Sequence, residues 1–215
     1  MDSPQKNSAA PSPNQAFTHI APRSIKALTF DMQGSLLDFY STIFDAGTQI
    51  TARRGVHVDW TDVVTRWRKA YRDELNAISA GTTAWKSTDA VYRSTLDQLL
   101  GNFAWGSVLS SDDRDELSGA WSTLRPWPDT RPGLTRLRKQ FKLSTLSNGS
   151  MASIVNIVKM HDLPFDCVLT AELVNSSKPD PRVYKLGQKS LGVRADEILM
   201  VACHKYDLMA AKQLG

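Results

Sequence analysis

At 215 residues the chain has room for one α/β domain carrying a sizeable insertion. Its net charge of +4 comes from basic residues scattered among acids. That leaves no basic stripe for nucleic acid, and no apolar run approaches the ~20 residues that span a bilayer. Two cysteines, Cys167 and Cys203, lie in apolar runs without CxxC spacing, so neither a zinc site nor a disulfide framework is expected, and a reducing cytoplasm fits.

Residues 1–23 are rich in Ser, Pro, Asn and Ala and read as a disordered leader, without the pattern of a signal or transit peptide. The run 25–30 is short and mostly apolar, ends at Asp31, and is followed by Gly34, which lets the backbone turn. This is a strand delivering a carboxylate to its C-terminal end, where open α/β sheets place their ligands. From residue 39 to 125 the pattern is helical, with turn signals at Gly55, at 80–83 and at 110–113, and three to five helices are expected there. The proline-rich segment 125–133 reads as a return linker.

Alternation then resumes: helix 134–140, strand 143–146, helix 151–160, strand 167–170, helix 182–191, strand 198–202 and helix 207–214. Such alternation implies βαβ units and a parallel sheet. The expected architecture is α/β, a Rossmann-like three-layer α/β/α core (24–38 and 126–215) with an inserted all-helical cap (39–125). Gly215 stands where a helix C-cap would lead into another strand, so the sheet reads as one edge strand short. An unpaired edge invites association and leaves a homodimer open.

Polar residues close each strand. Asp31 follows the first, Ser147 and Asn148 the second, and His204 and Asp207 the last, while Lys178 stands in the loop after the third. Each alone has an ordinary explanation as a turn, cap or solvated residue. On one rim of a parallel sheet they would converge. On the cap helix 62–78, Val64, Trp67, Tyr71, Leu75 and Ile78 form an apolar face that also carries Arg68, with Arg72 at its edge. A guanidinium there needs an anion, and an acid such as Asp38, a snorkelling side chain or a ligand would each answer.

Taken together, FDMQGSLLD, TLSNGS, SKPDPRVY and VACHKYDLMAA resemble, in order and spacing, the four motifs of the haloacid dehalogenase superfamily. The resemblance implies a nucleophilic carboxylate at Asp31, a substrate-anion clamp at Ser147 and Asn148, and an orienting cation at Lys178. Phosphatases of that superfamily carry a second Asp two residues after the nucleophile, where this chain has Gln33. An amide cannot act as the acid that protonates a leaving alkoxide, a role typically worth ~10²–10⁴-fold, whereas halide needs no proton. Asp207 also lacks a neighbouring acid to help hold Mg²⁺.

The Trp67-Arg68 pair is similar to that of the type II 2-haloacid dehalogenases, which implies that Arg68 receives halide or holds the substrate carboxylate. By the same resemblance Tyr184 hydrogen-bonds near Lys178 or Asp31, Ser35 replaces a Thr that bonds the nucleophile, and His204 is a wall residue or base. Asp207 pairs with Lys178 or activates water. No role is assigned to His19, His57 or His161, and Trp60, Trp85, Trp121 and Trp127 read as cap core and hinge packing. The implied activity is hydrolytic dehalogenation of short 2-haloalkanoic acids, with a small-molecule substrate, no metal or organic cofactor, and no nucleic-acid or membrane partner. A Mg²⁺-dependent phosphatase and an inactive binding or regulatory homologue stay open as alternatives.

Overall fold

A computed structural model describes residues 24–215; the leader 1–23 and His19 lie outside the described residues. Strand β1 (Ala27–Phe30) is buried along its whole length and sits between β4 (Lys142–Thr145) and β5 (Ile198–Val201), both parallel to it. A strand flanked on both sides and covered on both faces reads as a mostly apolar run, which is why ALTF shows no alternation, and its one polar side chain, Thr29, donates its hydroxyl to Met200 Sδ. Helices α5 (Thr130–Leu137), α6 (Met151–Met160), α7 (Pro181–Leu191) and α8 (Lys205–Lys212) separate or follow the later strands.

The expected strand 167–170 is extended but makes only isolated bridges to β4, Ser144 with Cys167 and Ser147 with Thr170. The reason is the Thr145 hydroxyl, which accepts the Leu169 N–H at 2.9 Å and donates to the Leu169 carbonyl at 2.8 Å. A side chain there takes the place of one backbone link, while Thr145 N–H still donates to Cys167 and Ser147 N–H to Leu169. Helix α5 begins four residues before the expected Leu134, because Pro132 falls in its first turn, where the missing N–H costs nothing.

Between β1 and the rest of the sheet lies the insertion, four α-helices among the described residues: α1 (Phe39–Arg53), α2 (Trp60–Ser79), α3 (Thr88–Leu100) and α4 (Ser111–Gly119). Their starts follow the capping rules. Asp38 accepts from Ser41 N–H, Asp59 from Thr61 and Asp62, Ser87 from Ala90, and Ser110 with Asp113 closes a capping box. At the hinge, β2 (Leu37–Asp38) pairs antiparallel with β3 (Arg125–Pro126), so the two passages of chain are one short ribbon rather than free linkers. The Trp127 N–H and the Thr130 hydroxyl both donate to the Leu36 carbonyl and extend that clasp.

A continuous buried cluster runs from Leu28 and Phe30 on the sheet to Trp60, Trp67, Tyr71, Tyr92 and Trp121 in the insertion. Its spine is a stack of rings, Phe39 on Trp121 at 5.8 Å, Trp121 on Tyr92 at 3.9 Å and Tyr92 on Tyr71 at 4.3 Å. Trp60 and Trp121 are thus core, whereas Trp85 and Trp127 remain more than a third exposed. Buried aromatic pairs of this kind add ~0.5–1.5 kcal/mol each beyond their area.

Helices α1 and α2 approach closely only because residue 47 is glycine. A Cβ there would lie 2.4 Å from the Trp60 ring. Replacing Gly47 with Ala is expected to lower stability by about 1–3 kcal/mol through overpacking, read as a fall in the urea midpoint at unchanged slope. An unaltered midpoint would mean that the helices separate freely.

Candidate active site

Asp31 stands one residue beyond β1 and is 5 % exposed, with its N–H donating to Val201. Gly34, at φ +90°, turns the chain back toward β2 and brings it within reach of Cys203 and His204 in the loop after β5. The sheet register then does the rest. Because β1 pairs with β4 and β5 in parallel, the loops after all three strands share one rim.

At that rim Lys178 is buried between two carboxylates. Its Nζ lies 2.8 Å from Asp31 Oδ1 and 2.5 Å from Asp207 Oδ2. The other oxygen of Asp207 accepts the Tyr184 hydroxyl at 2.7 Å, and the other oxygen of Asp31 accepts the Ser35 hydroxyl at 2.8 Å. Ser35 in turn accepts the Cys203 N–H at 2.9 Å.

Burial by itself would push the Asp31 carboxyl up. The Lys178 charge and the hydrogen bonds from Lys178 and Ser35 outweigh it, and hold Asp31 below its ordinary 3.8. Burial likewise opposes the Lys178 charge, but Asp31 and Asp207 more than compensate and raise it above its ordinary 10.5. Burial and the Asp207 carboxylate raise Tyr184 far above the usual phenol, so its hydroxyl stays a donor. Asp31 is an ionised, desolvated carboxylate at neutral pH.

Gln33 points its amide oxygen at the insertion. Oε1 accepts from the Tyr92 hydroxyl at 2.8 Å and from Arg68 Nη1 at 3.2 Å. Arg68 lies against the rings of Phe39 (4.8 Å), Tyr71 (5.0 Å) and Trp121 (5.8 Å), and no carboxylate lies within 4.0 Å of it among the described residues. Asp38 is not its partner, being occupied as the α1 cap. Burial acts against the Arg68 charge, but Tyr92, Tyr71 and Asp31 outweigh it, and Arg68 stays a cation.

Asn148 accepts the Lys178 backbone N–H through Oδ1 at 2.8 Å, and its carbonyl accepts the Thr88 hydroxyl of α3. The Ser79 and Ser177 hydroxyls meet at 2.5 Å. These bonds seat the helical insertion on the sheet rim. Between them is a cavity of about 150 Å³, lined by Asp31, Gln33, Arg68, Asn148, Lys178 and Tyr206 among others. Apolar cavities of that size hold benzene, so there is room for about six heavy atoms.

Of the residues singled out from sequence, Asp31, Gln33, Arg68, Asn148 and Lys178 line this cavity. Ser35, Asp207 and Tyr184 stand behind it, holding Asp31 and Lys178. Ser147 is buried and its hydroxyl accepts the Gly149 N–H at 3.0 Å, so it forms the turn and does not line the cavity. His204 Nε2 lies 3.1 Å from the Gln33 carbonyl and 3.7 Å from Asp31 Oδ2. Arg72, Asn76, Pro179 and Tyr206 also line the cavity and had no role in the sequence reading. Arg72 stood out from sequence only as the edge of the face that carries Arg68, four residues on along one helix; Tyr206 carried no such signal.

One group of potential metal ligands occurs among the described residues, in Asp31, Cys203 and His204, with donor atoms within 4.8 Å of one another. Spacing along the chain had not suggested it. Mg²⁺ takes oxygen ligands, and this set has one carboxylate beside a thiol and an imidazole. Asp207, the other acid that Lys178 bridges to Asp31, has committed both oxygens to Lys178 and Tyr184. The donor set does not fit Mg²⁺.

The chain is similar to several known proteins along most of its length. The (S)-2-haloacid dehalogenase of Pseudomonas putida is 30% identical over 192 residues, covering 86% of this chain and 82% of that protein. The crystal structure of the L-2-haloacid dehalogenase PA0810 superposes with a TM-score of 0.81 at 32% identity, covering 89% of this chain and 82% of that one. That of the defluorinating L-2-haloacid dehalogenase Rha0230 gives 0.83 at 31% identity, over 88% and 78%. The haloacid dehalogenase-like hydrolase model matches residues 25–215, and the chain belongs to that family of hydrolases.

Proposed function

We propose that the protein is a hydrolytic dehalogenase of short 2-haloalkanoic acids, acting through an ester formed on Asp31. The observation that carries this reading is Gln33. A leaving alkoxide would need an acid at this position, and Gln33 offers an amide whose oxygen is already occupied by Tyr92 and Arg68. A halide leaves as a stable anion and needs no proton. The activities named for the P. putida relative and for the two dehalogenase structures point the same way.

In the first step an Asp31 oxygen attacks C2 of the substrate. The new C–O bond forms as the carbon–halogen bond breaks, its electron pair leaves with the halide, and C2 is inverted. In the second step water adds to the Asp31 carboxyl carbon. The acyl–oxygen bond breaks, the alkoxide takes a proton from that water, and the carboxylate is regenerated with release of one proton. Covalent catalysis splits one difficult displacement into two easier ones. Lys178 orients Asp31 and stabilises charge at its carboxyl group, while Asp207 and Tyr184 hold Lys178 in place. Ser35 fixes the second oxygen of Asp31. His204 is not among the residues lining the cavity: its Nε2 faces the Gln33 carbonyl and is therefore its donor, and Nδ1 is turned toward Cys203.

The wild-type protein is expected to release chloride from 2-chloropropionate without sensitivity to a chelator, and the Asp31→Asn variant to fall to background. A single turnover in heavy-oxygen water should label Asp31 and leave the product unlabelled. Equal release by the Asp31→Asn variant would remove the nucleophile, and Mg²⁺-dependent hydrolysis of a phosphate ester would favour the phosphatase alternative.

Lys178 gives a second expectation. Removing one partner of a buried ion pair leaves an uncompensated charge and costs roughly 3–5 kcal/mol, so Lys178→Met should lose about that much stability at pH 7.5. The sign with pH follows from the two proteins. In the wild type, Asp31 is depressed, and its contribution is present above the unfolded value and lost as pH falls through the folded one. In the variant, burial without the lysine raises the Asp31 carboxyl, so its protonation stabilises the fold as pH falls. The gap between the two proteins should narrow from pH 7.5 to pH 5 in urea titrations, and a constant gap would contradict the ion-pair account.

A further inference from the structure

We propose that Arg72 is the residue that holds the substrate carboxylate, leaving Arg68 to the halide; the inference rests on the dehalogenase reading. Arg68 occupies the inner end of the cavity, donating to Gln33 and Tyr92 among three aromatic rings. Beside it the Tyr71 hydroxyl is buried and lies near that of Tyr92 without a well-formed hydrogen bond. A guanidinium and a spare hydroxyl among apolar surfaces suit a small, weakly hydrated anion.

Arg72, one turn further along α2, lines the mouth with Asn76 and lies over the Tyr206 ring at 4.7 Å. Arg66 and Lys69 on the same helix pair with Asp62 and Asp73. Arg72 has no carboxylate within 4.0 Å among the described residues. The planar fork of a guanidinium matches a carboxylate in two parallel hydrogen bonds, and an exposed cation at an entrance also draws in anions.

Charge counting assigns the two arginines separately. Asp31 and Asp207 against Lys178 leave one negative charge, Arg68 cancels it, and Arg72 is a cation in surplus that a monocarboxylate would balance. After the displacement Asp31 is an uncharged ester, so halide and carboxylate are present together. Lys178 is then matched by Asp207, and the two anions face Arg68 and Arg72. Ser147, which resemblance would make the carboxylate clamp, has its hydroxyl on the Gly149 N–H and lies outside the cavity lining.

The test compares 2-bromopropionate with the uncharged 2-bromopropionamide in the wild type, Arg72→Gln and Arg72→Lys. Losing a charge-assisted hydrogen-bonded anchor should raise KM for the acid about tenfold, with kcat within about twofold and partial recovery in Arg72→Lys. Turnover of the amide should be the same in all three proteins. An equal loss on acid and amide would mean that Arg72 only packs on Tyr206, and unchanged KM for the acid would remove it from substrate binding; either result overturns the proposal. If the wild type releases halide from neither compound, the dehalogenase reading fails, and calorimetry with propionate then decides the anchor by itself. About tenfold weaker binding to Arg72→Gln would uphold it, and equal or absent binding would overturn it.

Discussion

The structure depends on one cation placed between two carboxylates. Lys178 is buried, and so are Asp31, just beyond β1, and Asp207, in the first turn of α8 after β5. Each of the three would be costly to bury alone. Together they tie the third-motif loop to the tips of β1 and β5, and the remaining oxygens of both acids are taken by Ser35 and Tyr184. A buried ion pair is weak evidence for net stability. Its value here is placement, because it holds a desolvated carboxylate in a single orientation and keeps it ionised.

The inner and outer arginines extend this electrostatic scheme into the cap. The ring stack of Phe39, Trp121, Tyr92 and Tyr71 is continuous with the sheet core, so the surface on which Arg68 rests is part of that core. A guanidinium laid on such rings gains cation–π attraction while its edge still donates, here from Nη1 to Gln33 and Tyr92. The Ser79–Ser177 and Thr88–Asn148 hydrogen bonds fasten the cap over the cavity, and excluding water strengthens the attractions that retain an anion there.

The parallel core was legible because each βαβ segment carried its own signals: an apolar run, a turn residue, then helical spacing. Asp31, Lys178 and Asp207 could be placed together because strand ends share a rim in a parallel sheet. What escaped the sequence was decided by side chains replacing backbone partners. The Thr145 hydroxyl interrupts the ladder beside residues 167–170, and the Ser147 hydroxyl, outside the cavity lining, accepts the Gly149 N–H. The β2–β3 ribbon is only two residues per strand, too short for any periodicity, and its partners are 87 positions apart at Asp38 and Arg125. Tyr206 at the mouth was equally invisible, since nothing local distinguishes it from an ordinary helix residue.

The loop after β5 bears on which chemistry this rim can support. A metal-assisted phosphoryl transfer would want oxygen donors around Asp31. Among the described residues the potential ligands grouped with Asp31 are a thiol and an imidazole, and His204 Nε2 is directed to the Gln33 carbonyl. The acid that remains, Asp207, serves the lysine. With no oxygen-rich ligand set and no acid at Gln33, the positive charge facing Asp31 comes from Lys178 and Arg68, both fixed before any substrate arrives. Such an arrangement suits a reaction in which negative charge moves from the nucleophile to a departing anion, because the site then needs stationary cations at both ends of that movement and no proton in between.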